Sequence, residues 1–162
     1  MVMKSFQVRP LNKSDRDWVV SLLNEHWGST RIVTRGRVRQ VDEFPGFAAI
    51  ECDKPMGLIT YRIEGDQCEI TTLNSLLEKE GIGASLIDAV RDVAAGANCK
   101  RLWLITTNDN TAALHFYQKR GFTLAALYPN ALEKSRILKP EIPLTGIDGI
   151  PLRDEIELEM IL

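Results

Sequence analysis

The feature that most constrains this chain is a change of hydrophobic period near residue 81. Before it, the runs 47–52 (FAAIEC), 57–65 (GLITYRIEG) and 68–73 (CEITTL) are separated by turn residues at Asp53–Pro55 and Gly65–Asp66. Short runs divided by such residues form an antiparallel meander. After it, Ile82, Leu86, Ala89, Val90, Val93 and Ala97 recur at the spacing of one helical face, which predicts an amphipathic helix with a single buried stripe. A chain that passes from hairpins to a packed helix builds a sheet covered by helices, so the expected class is α/β with a mixed sheet.

The flanking segments extend that pattern. Phe6 and Val8 alternate with polar neighbours as a first strand, and Ser14 with Asp17 reads as the cap of a helix that carries Trp18, Val19, Leu22, Leu23 and His26 to a stop at Gly28. The basic stretch STRIVTRGRVRQVDEFP has no clean period and is expected to be irregular with a short extended piece. LWLITT is apolar enough for a central strand. Asn110 is placed to cap a helix that Gly121 ends, and FTLAALY follows as a strand. Residues 129–153, with four prolines and two glycines, are expected to be mostly loop before a last alternating strand through Ile156, Leu158, Met160 and Leu162.

Composition narrows the function. The 162 residues suit one domain, expected to span 1–162, and a net charge of −2 argues against an extended nucleic-acid surface. Cys52, Cys68, Cys99, His26 and His115 match no zinc spacing, so no metal is expected. No run approaches the roughly 20 apolar residues of a membrane span, and the first residues lack a signal-peptide core. The expected setting is cytoplasmic, without membrane or nucleic-acid partners.

The segment 73–86 (LNSLLEKEGIGASL) runs from a strand through a glycine loop into a helix. Such a terminus offers free backbone N–H groups to an anion, and Gly81 and Gly83 let a phosphate come close. Alone, Gly-x-Gly fits a plain turn equally well. A dinucleotide fold needs a small residue where Leu86 stands, and a phosphate-binding P-loop needs Lys where Ala84 stands.

This loop resembles the pyrophosphate loop of the GCN5-related N-acetyltransferase (GNAT) family, Arg or Gln, x, x, Gly, x, Gly or Ala. Gly81, Ile82, Gly83 and Ala84 match its core, while Glu78 stands where Arg or Gln is usual. A second segment, NDNTAALHFYQKRGF, is more specific: Asn110, Ala113, Phe116, Tyr117, Lys119, Gly121 and Phe122 occupy the positions of the family helix that faces coenzyme A. Together they cover the central half of the chain.

The resemblance implies a GNAT-like fold, a mostly antiparallel sheet with helices on both faces, and acetyl-CoA as cofactor. It implies that backbone groups of Leu73, Asn74 and Ser75 receive the pantetheine arm, that Gly81, Ile82, Gly83, Ala84 and Ser85 hold the pyrophosphate, and that Asn110 bonds the pantetheine. Tyr117 is then the general acid for the departing thiolate, although a helical tyrosine beside Phe116 also reads as a core aromatic. The implied reaction is direct attack of an amine on acetyl-CoA in a ternary complex, without an acetyl-enzyme. Glu69 is one candidate base, beside water or another loop. The acceptor wall falls after the first helix: Trp27 would pack on the acceptor, and one of Arg31, Arg35, Arg37 and Arg39, with Arg35 favoured, would pair with an acceptor carboxylate or phosphate. A solvated basic strand accounts for the same arginines. The expected acceptor is a small-molecule amine; protein amino groups, a non-catalytic cofactor-binding module and a homodimer stay open.

Overall fold

The computed structural model describes residues 5–75 and 81–162, so Glu78 and the loop around it lie outside the described residues. The chain forms two compact units: Met1–Thr30 with Val41–Leu102 and Leu162, and Arg31–Gln40 with Trp103–Ile161.

In the first unit, strands β1 (Gln7–Pro10), β4 (Gly46–Glu51), β5 (Lys54–Glu64) and β6 (Gln67–Ser75) lie side by side in that order, each antiparallel to its neighbour. The meander follows from its turns. Cys52 and Asp53 both take positive φ (48° and 62°), as a two-residue turn matched to strand twist requires. Helix α1 (Arg16–Trp27) ends on Gly28, whose φ of 72° is the left-handed cap that glycine adopts most easily. Its entry differs from the sequence expectation. Asn12, not Ser14, caps a 3-10 turn over Lys13–Asp15 that runs into α1, because Asp15 completes the capping box with the Asn12 backbone. Asp15 also takes a bidentate pair from Arg9 and the Trp18 indole N–H, all at 2.8–2.9 Å, and the Arg9 hydrogen bonds hold its carboxyl far below the usual range.

Helix α2 (Ile82–Gly96) packs on β4, β5 and β6 through Ile82, Leu86, Ile87, Val90 and Ala94. The buried stripe shares Ile82, Leu86 and Val90 with the expected one but adds Ile87 and Ala94, and Ala97 is exposed. Gly57 on β5 faces the first turn of α2; Leu58 beside it faces the other way and pairs in register with Asn74, whose side chain meets Trp27 of α1. The two helices therefore cover opposite faces of this sheet.

The second unit holds most of β7 (Arg101–Thr107), with β9 (Glu155–Ile161) next to it and β8 (Thr123–Tyr128) antiparallel to β9. Helix α3 (Thr111–Lys119) begins at Asn110, as expected. Two expectations fail here. The basic stretch is not irregular: β2 (Arg31–Thr34) and β3 (Arg37–Gln40) form a hairpin around Arg35 and Gly36, both at positive φ (53° and 70°). The segment 129–153 is not mostly loop: it contains helix α4 (Ala131–Leu138), a 3-10 turn at Ile147–Gly149 and a bridge between Thr145 and Pro151. Side chains fix this segment. Arg136 donates to the carbonyls of Ile142, Pro143 and Leu152, and Asp109 accepts from the Ile147 N–H at 2.9 Å. A Cβ at Gly146 would fall 2.1 Å from the Asp109 carboxylate, so glycine is required for that approach.

Candidate functional site

In the first unit the candidate segment is the β6–α2 corner. Leu73, Asn74 and Ser75 end β6, paired on one side with Ile59, Leu58 and Gly57. Gly81 opens α2 in the left-handed conformation (φ 75°), and no side chain caps that terminus. The first intrahelical bond runs from the Ser85 N–H to the Gly81 carbonyl at 3.0 Å. The N–H groups of Ile82, Gly83 and Ala84 thus precede the helix's own ladder and suit an anion at the positive end of a helix of 15 residues. This donor set fits a pyrophosphate.

Trp27 meets this corner. At the end of α1, with 39% of the residue exposed, it donates its indole N–H to Asn74 Oδ1 at 2.8 Å. The structure so joins a residue expected on the acceptor wall to one expected on the cofactor strand. Glu69 is buried on β6 opposite Arg62 rather than turned to solvent.

In the second unit the candidate segment is α3. Asn110 accepts the Ala113 N–H at 3.1 Å, so its capping role is present. Tyr117 is buried, its ring edge-on to Phe116 (5.3 Å) and Phe122 (5.4 Å), and its carbonyl accepts the N–H groups of Arg120 and Phe122. These contacts fix the ring. Burial raises the phenol's pKa, which keeps it protonated throughout the neutral range, and its hydroxyl makes no hydrogen bond to another described residue. Tyr117 is thus a core aromatic on α3.

Arg35, singled out in the sequence, lies at the tip of the β2–β3 hairpin against Tyr128, Glu155 and Glu157, which sequence reasoning did not single out. Its backbone N–H donates to the Glu155 carboxylate (3.2 and 3.3 Å), its guanidinium lies 3.6 Å over the Tyr128 ring, and Nη1 is 3.7 Å from Glu157. The Tyr128 hydroxyl donates to Glu157 at 2.9 Å. Alternation on β9 suggests acids in solvent, yet Glu155 and Glu157 are only 1% and 8% exposed. The available signal was the run of arginines at 31–39, which needs counter-charges elsewhere in the chain.

Two other features carry no chemistry of this kind. A groove of about 760 Å³ at the start of α1 is lined by Asn12, Asp15, Arg16, Asp42, Glu43 and Phe44 among others, none of them an expected site residue. Its acids Asp15 and Asp42 are paired with Arg9 and Arg16. Cys68, buried, has its thiol pushed up to about 12 by desolvation, which removes it as a nucleophile. Among the described residues no group of three His, Cys, Asp or Glu could hold a metal, and no helix is long and apolar enough to cross a membrane.

Comparison with known proteins agrees with this geometry. Residues 14–122 match the family model of the acetyltransferase (GNAT) family. The chain is 44% identical to Bacillus subtilis YdhI, described as uncharacterized, over 154 residues, 94% of this chain and 96% of that protein. An IAA acetyltransferase from Bacillus cereus superposes with a TM-score of 0.75 at 21% identity, covering 98% of this chain and 100% of its own. A GNAT family acetyltransferase from Elizabethkingia anophelis with acetyl-CoA bound gives 0.71 at 19% identity over 99% and 100%. With an uncapped, glycine-opened helix after β6, a buried tyrosine on α3 and a family match over most of its length, the chain belongs to the GNAT acetyltransferase family.

Proposed function

We propose that this chain is one GNAT domain that transfers the acetyl group of acetyl-CoA to a primary amine of a small molecule, by direct attack in a ternary complex. The observation that carries the reading is Tyr117: a phenol fixed by two aromatic contacts, kept protonated by burial, with a hydroxyl that no described residue engages. When bound, acetyl-CoA supplies an activated thioester. The chain's own groups divide the remaining work. The N–H groups of Ile82, Gly83 and Ala84 hold the pyrophosphate, with Ser85 beside them donating its own N–H to the Gly81 carbonyl; Leu73, Asn74 and Ser75 offer backbone to the pantetheine amides, and Asn110 adds a side-chain contact. An N–H at Leu73 or Asn74 faces the charge that grows on the carbonyl oxygen. The Tyr117 hydroxyl holds the proton for the leaving thiolate.

The acceptor-contact roles fall to Trp27, whose indole N–H Asn74 accepts, and, within the second unit, to Arg35. A small acceptor is favoured over a peptide because residues 129–153 are a built wall, clamped by Arg136 and Asp109 rather than free to part. The test is Tyr117→Phe, scored by thiol release over a panel of amines, amino acids and peptides. Turnover falls by about 10²- to 10⁴-fold, the contribution of a positioned acid, while cofactor affinity is retained. An unchanged rate removes Tyr117 from the mechanism, and a panel answered only by peptides replaces the acceptor class.

A further inference from the structure

Arg9, Arg136 and Arg35 use their guanidinium groups differently. Arg9 spends its guanidinium on two hydrogen bonds to Asp15, and Arg136 spends its own on three carbonyls. Both are structural fasteners. Arg35 differs: its guanidinium is stacked on Tyr128 at 3.6 Å and drawn to Glu157 at 3.7 Å, beyond hydrogen-bond range, and makes no hydrogen bond to a described residue. Its side chain is 44% exposed while both glutamates are buried, so the face it turns outward is cationic. The backbone adds a second observation. Arg35 adopts φ 53°, a region that non-glycine residues occupy at a cost in strain, and its N–H is held there by Glu155. A guanidinium fixed by stacking and ion pairing, with its N–H donors unspent, is an oriented fork for two oxygens of an oxyanion.

The geometry points to Glu155, Glu157 and Tyr128 as positioning residues that aim Arg35 at an oxyanion, the carboxylate or phosphate of an acceptor that also carries the reacting amine. This rests on the acceptor-side reading of Arg35 given above, and it makes the enzyme selective for zwitterionic amines over their neutral counterparts. Sheet register explains why these three act together. Tyr128 lies opposite Glu155 across the β8–β9 pair, and Glu157 is two residues further along the same face of β9, within reach of the Tyr128 hydroxyl. If the cluster merely anchored the hairpin, its loss would lower stability without changing the charge preference among acceptors.

The experiment compares kcat/KM for amino acids with their amides, and for phosphoethanolamine with ethanolamine, following release of the coenzyme A thiol. The anionic member of at least one pair is favoured by about tenfold or more, through KM, as expected of a bidentate arginine contact. Arg35→Ala erases the preference, and Arg35→Lys, lacking the fork, restores it only in part. Tyr128→Leu and Glu157→Gln each cut it several-fold, whereas Tyr128→Phe, which keeps the ring, retains most of it. A preference that vanishes in Arg35→Ala but is untouched in both Tyr128→Leu and Glu157→Gln overturns the positioning role and leaves Arg35 on the acceptor side. Equal ratios in the parent and in Arg35→Ala, or no turnover of any zwitterion, overturn the acceptor reading itself. Glu157→Gln is nearly isosteric and keeps the test usable if Tyr128→Leu folds poorly.

Discussion

Gly57→Ala tests the packing that sets the cofactor corner. A Cβ at this position would stand 2.6 Å from Ile82 Cγ2 and 3.1 Å from both Leu86 Cδ1 and the Asn74 carbonyl oxygen. Carbon atoms in contact sit about 3.5–4.0 Å apart, so something must give by about 1 Å. Ile82 cannot swing aside easily, because it is buried and a β-branched side chain in a helix keeps essentially one rotamer. The first turn of α2 must therefore ride up off β5. Overpacking of this kind costs about 1–3 kcal/mol, and the reduced freedom of the unfolded chain returns roughly 0.4–1 kcal/mol, leaving a net loss of about 1–2 kcal/mol. For a chain of this length that lowers Tm by about 3–6 °C. The N–H groups of Ile82, Gly83 and Ala84 move with the turn, so acetyl-CoA affinity falls by about tenfold, the scale of losing one charge-assisted hydrogen bond. Thermal melts across a cofactor titration read both quantities at once. Gly96→Ala is the control: the same atoms are added at the other end of the same helix, where nothing lies within 4 Å. That variant is neutral or gains up to about 1 kcal/mol. Equal melting and equal affinity for Gly57→Ala and its parent would refute the argument that β5 sets the height of α2.

Further outcomes follow from the same geometry. Gly83→Val places a branched side chain where the phosphate must approach the backbone at a buried position, so cofactor-induced stabilisation is lost; a retained thermal shift moves the phosphate site elsewhere. Asp15→Asn removes the charge that holds Arg9, and its single amide oxygen can accept only one of the Asn12 and Trp18 N–H groups, which bond different oxygens of Asp15; it destabilises by about 2 kcal/mol in denaturant melts with cofactor affinity unchanged. A loss of cofactor binding with unchanged stability would contradict that assignment.

The sequence was most legible where local chemistry and tertiary need agreed. The β4–β6 meander, the Gly28 stop, the α2 stripe around Ile82, Leu86 and Val90, and the Asn110 cap all arise from short-range rules that the packed chain keeps. The β2–β3 hairpin was hidden because an arginine, not Asn or Asp, takes the first positive-φ position of its turn, held there by Glu155 from 120 residues away. Helix α4 was hidden because Pro129 and Pro140 bracket only eight helical residues and its cap residue, Asn130, is left-handed (φ 59°), held by Asp154 accepting its N–H. In the site, the pattern of Gly81 to Ala84 and of Asn110 to Phe122 was visible in the residues themselves. The Trp27–Asn74 bond and the Arg35 cluster join positions far apart in the chain, and no spacing rule reports such pairs.

The cluster also has a pH signature whose sign is opposite to that of Asp15, another buried acid. Desolvation raises the Glu155 carboxyl above its ordinary value of 4.5, only partly offset by the Arg35 N–H and charge. The folded chain then holds this proton more tightly than the unfolded one, so the group's contribution to stability falls as pH rises from 4.5 through the raised folded value, and is constant below 4.5. Asp15 behaves in reverse: its carboxyl is lowered, so its contribution is complete above 3.8 and is lost as pH falls below that. The two windows do not overlap, which lets one variant isolate the first. In Glu155→Gln the amide still accepts the Arg35 N–H but cannot ionise, so the variant gains stability relative to its parent as pH is raised from 4.5 toward neutrality. Melting temperatures of both proteins across that range give the difference directly, and a difference that stays flat or narrows would show that the Glu155 carboxylate is not held at a cost. If it is held at a cost, apolar residues at this position would give a more stable strand, and the carboxylate is explained by what it aims: the backbone of Arg35.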